Sequence, residues 1–331
     1  MGRWVKNNLI PFLQNIGKPI SVVFDFLIFP LVLISALVLK FYRKVGSKRF
    51  PFNTRLLKYI GVFPIIDHFY EPFFNHKNLS KDLSGKRNLP ALNFRENDQL
   101  NLLEKFTFQK EFEEFLNSEK KSGKLRSFSI QNGSYGAGDA EFLFNFLRLK
   151  KPKRVIEVGS GNSSKVIEAA LKNNLKEGFQ SKLTCIEPYK PWLKETEIIE
   201  IHRTKIEETS YEWDKVLSEG DFLFIDSSHM IRPQGDVLYE YLEMIPKLNP
   251  GVIVHIHDIF SPREYPKAWL KFDVKFWNEQ YLLEALLSNK DKYKIVASLN
   301  YLKNDFFPQV KDVCPHLEER HEPAAFYFEV I

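Results

Sequence analysis

Cysteine is scarce: two in 331 residues, Cys185 and Cys314, too few for a disulfide scaffold and in keeping with a reducing compartment. Charge of one sign is scarce too. The 47 Lys and Arg are answered by 42 Asp and Glu, leaving +5 at pH 7, and because the signs are interspersed, nucleic-acid binding has little support. Internal repeats and low-complexity tracts are missing. What the chain has in quantity is apolar surface, 44% hydrophobic residues with 30 Phe, which excludes a disordered chain and supplies core for one large domain or two ordinary ones.

Long apolar runs are also few, and the first stands near the start. Ile20 to Leu39 reads ISVVFDFLIFPLVLISALVL, about long enough as a helix to cross a ~30 Å hydrocarbon layer. Asp25 is costly at membrane depth and Pro30 is expected to kink the helix, so a segment lying in the interface stays open beside one that spans. Lys40, Arg43, Lys44, Lys48, Arg49, Arg55 and Lys58 follow the run, against Arg3, Lys6 and Lys18 before it. That asymmetry places the bulk of the protein on the cytoplasmic side. Residues 1–49 are therefore read as a membrane-anchoring segment.

Residues 50–130 show no strand–helix alternation and are read as an accessory or cap region, with a helical pattern from Glu96 to Lys120. His68, Tyr70 and Glu71 in its aromatic-rich part either line a ligand pocket or pack against the membrane. From residue 131 the pattern becomes regular. An amphipathic helix, DAEFLFNFLRLK, precedes the strand RVIEV; a helix follows, then the strands LTCIEP, IIEIHRT, DFLFIDSS and GVIVHIHDI. Such alternation predicts an α/β domain with a mostly parallel sheet covered on both faces. The last strands, YKIVASLNYLK and AAFYFEVI, have no helical pattern between them, which predicts an antiparallel final pair. Gly133, Gly136 and Gly138 with Tyr135 and Asp139 read either as a loop that closes over a bound ligand or, as spacing favours, as a linker whose Asp139 is the N-cap of the first helix.

The segment Arg154–Ser164, RVIEVGSGNSS, runs a strand into two glycines and small polar residues, exposing backbone N–H groups at the start of a helix, where anionic or polar ligands are favoured. This order of segments resembles the class I S-adenosylmethionine-dependent methyltransferases over roughly Asn132 to Ile331. The resemblance implies a Rossmann-like seven-stranded sheet with an antiparallel last strand and S-adenosyl-L-methionine bound at Glu157, Gly159, Ser160, Gly161, Asn162 and Asp226, with Glu187 at the ribose. A carboxylate there can take both hydroxyl protons of a ribose. FLFIDSSH and VIVHIHDI further resemble signatures of the O-methyltransferase-like branch. Ser227 and Ile259 depart from that branch, and the second departure leaves metal dependence open.

Asp226, His229, His257 and Asp258 are the candidate catalytic residues, because they cluster at carboxyl ends of strands, where open α/β sheets bind ligands. Two functional readings of them stand beside a structural one, in which the histidines only hydrogen-bond within the sheet. In one, His229 or His257 is a general base oriented by Asp226 or Asp258; in the other, these carboxylates and a histidine hold a divalent cation that acidifies a hydroxyl. His255, deeper in its strand, is read as structural. The expected activity is methyl transfer to a hydroxyl-bearing acceptor: a lipid head group, a glycan or a small metabolite. An NAD-type oxidoreductase is the rival enzyme, weakened by Ser164 where G-x-G-x-x-G needs a third glycine. A membrane-tethered module that binds the cofactor without catalysis is the non-enzymatic rival.

Overall fold

A computed structural model describes residues 18–123, 126–190 and 192–331. The described chain divides into two compact units, one ending at Ser80 and one beginning at Lys81. In the first, helix α1 (Lys18–Val45) runs unbroken through Pro30, and its stretch Ile20–Val45 is long and apolar enough to cross a membrane. Helix α2 (Pro51–Ile60) starts with Pro at its first position and ends at Gly61 in the left-handed conformation, the usual asymmetry of helix start and stop. Tyr42 Oη and Thr54 Oγ1 lie 2.5 Å apart, and Thr54 donates to the Ser47 carbonyl, fixing α2 to the end of α1.

The second unit is built on a seven-stranded sheet: β1 (Arg154–Val158), β2 (Lys182–Ile186), β3 (Ile199–His202), β4 (Phe222–Ile225), β5 (Ile253–Ile256), β6 (Tyr293–Ser298) and β7 (Phe326–Val330). The order is β3-β2-β1-β4-β5-β7-β6. β1 to β5 are parallel, and β7 is antiparallel to both β5 and β6. The predicted antiparallel ending is present, but for a different reason. β6 stops at Ser298, and two short helices, Leu299–Asp305 and Phe307–Val313, fill the connection; the pair is antiparallel because β7 inserts between β5 and β6.

Alternate side chains of the strands face opposite layers. Val155, Leu183, Phe222, Phe224 and Tyr327 form one core with the helices α3 (Glu96–Leu103), α4 (Gln109–Ser122), α5 (Asp139–Lys150) and α6 (Asn162–Lys176). Ile156, Val158, Leu223, Ile225, Val254 and Ile256 form the other with Trp213, Tyr241 and Leu283. The pattern read as one helix from Glu96 to Lys120 is two helices, α3 and α4. α5 is not amphipathic in place: ten of its twelve residues are buried, and its Arg148 is held by Glu111, Glu177 and Asn174. Within the second unit, α3 and α4 join the layer that covers the sheet.

Candidate active site

The first strand and the fourth end side by side. Asp226 N–H donates to the Val158 carbonyl at 2.9 Å, and the chain then turns at Gly159 with φ +78°. A Cβ on Gly159 would stand 1.8 Å from the Asp226 carbonyl oxygen, so only glycine fits. Gly161 N–H donates to Ser164 Oγ at 2.9 Å just ahead of α6. Glu157 is fully buried beneath this turn. Its oxygens accept from Ser163 Oγ (2.6 Å) and Ser164 Oγ (2.5 Å), and although burial raises its pKa, those hydroxyls oppose the rise. Glu157 thus holds the loop against the helix. Ser160 is buried, and Asn162 Nδ2 donates to Ser134 Oγ, tying the loop to the 131–138 segment.

Glu187 follows β2 and is buried. One of its oxygens accepts the N–H groups of Tyr189 (2.7 Å) and Lys190 (3.1 Å), and the other lies 3.4 Å from Lys190 Nζ. Gly159, Glu187, Asp226, Ser227 and Ser228 line a cleft of about 590 Å³. Its volume is in the range of small-molecule pockets.

Asp226, His229, His257 and Asp258 do come together. His229 and Asp258 both have left-handed backbones, φ +60° and +58°, a conformation that costs a side-chain-bearing residue about 1–3 kcal/mol and turns each back toward the strand ends. The 229–231 segment is stitched to the start of helix Glu279–Leu287: Asn278 N–H donates to the His229 carbonyl at 3.1 Å, and Ile231 N–H donates to Asn278 Oδ1 at 2.7 Å. His229 Nδ1 bonds Glu279 Oε2 at 2.8 Å, and Tyr241 Oη donates to Glu279 Oε1 at 3.0 Å. Trp277 covers the imidazole, ring centroids 4.3 Å apart. So fixed, Nε2 points at Asp226 Oδ1 (3.3 Å) and Asp258 Oδ2 (3.4 Å).

Desolvation alone would lower the His229 pKa, but Asp226 and Glu279 overcome it and hold the group at about 10. His257 is raised in the same way: desolvation opposes, while Asp258, Asp139 and Asp226 prevail. Desolvation works to raise the Asp226 pKa, yet the two histidines bring it far below the carboxylate range. Asp258 moves the other way, pushed up by burial. Both shifts favour the charged form of the imidazole, and the geometry behind them is firmer at His229, which is hydrogen-bonded to Glu279, than at His257, whose ring nitrogens have no hydrogen-bond partner among the described residues.

Other residues fall differently. His255 is structural as expected, packed between Phe224 and Tyr327 with neither ring nitrogen hydrogen-bonded, and burial keeps it neutral. Asp139 is not the N-cap of α5: Gly138 holds that position, and the Asp139 carboxylate accepts the N–H groups of Ala324 and Ala325 and faces His257 Nε2 at 3.5 Å. Tyr135 lies against His257, 4.9 Å between centroids. His68, Tyr70 and Glu71 belong to the first unit, where Glu71 pairs with Arg43. Glu279 was not singled out from sequence, since it reads as an ordinary helix-start acid in FWNEQYLLEA. Ser227, which departs from the branch signature, donates to the buried Glu240 at 2.9 Å.

A larger cleft of about 1190 Å³ is lined by Asp139, His229, His257, Asp258, Trp269 and Trp277 among others. Asp226 lines both clefts. The donor atoms of Asp226, His229 and Asp258 all lie within 4.8 Å of one another. Two carboxylates and an imidazole whose far nitrogen is held by a third carboxylate make a donor set that fits a divalent cation. Ile259 adds no ligand to it.

Residues 156–259 match the family model described as a methyltransferase domain, from β1 to just past β5, roughly a third of the chain. No curated protein matches the sequence. Among solved structures, one described as cmcI-D160 with Mg and SAM is 10% identical, covering 60% of this chain and 72% of its own at a TM-score of 0.36. The plantazolicin methyltransferase BpumL, bound to a triazolic desmethylPZN analog and SAH, is 12% identical over 72% and 99% of the two chains with a TM-score of 0.34. An O-methyltransferase from Bacillus cereus in complex with SAH is 12% identical over 67% and 90%, TM-score 0.31. These are likenesses of fold alone.

Proposed function

Taking as premise that the chain carries a class I methyltransferase domain, whose methyl donor is S-adenosylmethionine, we propose that it methylates a hydroxyl-bearing acceptor held in the large cleft, with α1 keeping the enzyme at a membrane. The observation that carries this reading is that Asp226, with Ser227 and Ser228, lines both clefts. A donor seated at Gly159 and Glu187 and an acceptor seated beside His229 and Trp277 meet at that carboxylate. The acceptor oxygen attacks the methyl carbon as the carbon–sulfur bond breaks, the electron pair stays on sulfur, and the hydroxyl proton must leave to the protein or solvent.

Asp258 is the proton acceptor in this reading, because burial makes it the more basic of the two facing carboxylates. His229, held by Glu279, faces both carboxylates, and His257 lies beside them. Asp226, His229 and Asp258 would hold a divalent cation if the site takes one, and a bound cation acidifies a hydroxyl. The test uses the full chain with methyl-labelled S-adenosylmethionine and fractionated polar lipids, glycans and small metabolites. Label should pass to one fraction, and Asp258→Asn should lower transfer by ~10² to 10⁴-fold with cofactor affinity nearly unchanged. Transfer by Asp258→Asn at the wild-type rate contradicts the assignment. Loss of transfer on adding EDTA selects the cation.

A further inference from the structure

We propose that α2 and the residues just after it form a second, interfacial contact with an anionic lipid surface, lying in the head-group layer beside the segment that α1 inserts. This inference rests on the membrane reading of α1 given above. At 100° per residue, Phe52, Leu56, Tyr59 and Ile60 fall within an arc of about 100° on α2. They are 81%, 54%, 91% and 60% exposed. Thr54, which fixes α2 to the end of α1, lies on the opposite side of the helix, so the apolar face points away from that hydrogen-bonded contact with α1. Val62, Phe63, Ile65, Phe69 and Tyr70 continue the exposed apolar surface beyond Gly61.

Charge says what covers it. From Phe26 to Ile66 the chain has no acidic residue, while Lys40, Arg43, Lys44, Lys48, Arg49, Arg55 and Lys58 gather at the end of α1 and on α2. Lys48, Arg49, Arg55 and Lys58 have no acidic partner among the described residues. An apolar aromatic face bordered by unpaired cations, directly continuous with a helix able to enter a bilayer, matches the requirements of an anionic lipid surface.

The experiment uses the full chain in vesicles of phosphatidylcholine and phosphatidylglycerol, labelled with an environment-sensitive fluorophore at one introduced cysteine. Both native cysteines are buried, so labelling is selective. Tyr59→Cys should be quenched by lipid carrying a nitroxide near the head group and protected from aqueous iodide, whereas Lys58→Cys should remain open to iodide. Leu33→Cys, within α1, reports insertion separately by quenching from a deep nitroxide. Quenching at Leu33 with Tyr59 left open to iodide overturns the proposal while leaving the α1 reading intact. Loss of quenching at both positions overturns both. Protection of Tyr59 from iodide in detergent, without quenching in nitroxide vesicles, assigns the face to a protein contact and also overturns the proposal.

Discussion

Histidine 229 carries most of the information at the scale of single residues. Its imidazole faces Glu279 on one nitrogen and Asp226 and Asp258 on the other, so the site stabilises either a proton or a cation there. Two tests follow. In metal-free protein the His229 pKa is about 10 against an ordinary value of 6.5, so the folded state binds the proton more tightly than the unfolded chain. That stabilisation is fully present below pH 6.5, falls as pH rises above it, and is gone once pH passes about 10. Denaturant unfolding across this window should show it, and His229→Gln should flatten that part of the profile; an unchanged profile refutes the paired imidazolium. Glu279→Gln leaves a hydrogen-bonding group against Nδ1 but removes its charge. It should weaken any divalent-cation affinity by about 10- to 100-fold, read by titration calorimetry. The sequence showed Asp226, His229, His257 and Asp258 because strand ends could be located from alternation. It hid Glu279, which comes 50 residues after His229 and meets it only because helix Glu279–Leu287 starts under the His229 carbonyl.

Among elements, the glycine turn separates two roles that one motif suggests. Gly159 lies against the Asp226 carbonyl, while a Cβ on Gly161 would meet only Lys190 Nζ at 3.4 Å. Gly159→Ala should therefore break the joint between β1 and β4 and lower the unfolding midpoint. Gly161→Val should leave the fold standing and weaken S-adenosylmethionine binding, since its branches occupy the loop. Equal thermal stability of the two variants would contradict this division. The strands were legible because alternating apolar residues and a G-x-G ending are local signals. The place of β7 was not, because insertion between β5 and β6 is a tertiary choice that leaves the local pattern unchanged. α5 misled for a similar reason: its polar residues Asp139, Glu141, Asn145 and Arg148 look solvent-facing in sequence, yet each is buried with partners from other segments.

For the whole molecule, the division at Ser80 and Lys81 predicts that residues 81–331 form a folded unit without α1. Expressed alone, that fragment should unfold cooperatively without detergent; aggregation would mean that the first 80 residues are needed for its core. The central claim is that this unit holds S-adenosylmethionine at the Gly159 turn. Titration calorimetry of the full chain in detergent, with S-adenosylmethionine, S-adenosylhomocysteine and NAD in turn, tests it most directly. Saturable one-to-one binding of the first two, weakened by Gly161→Val, with no heat from NAD is the predicted result. Binding of NAD with none of either sulfur-containing ligand would contradict the account.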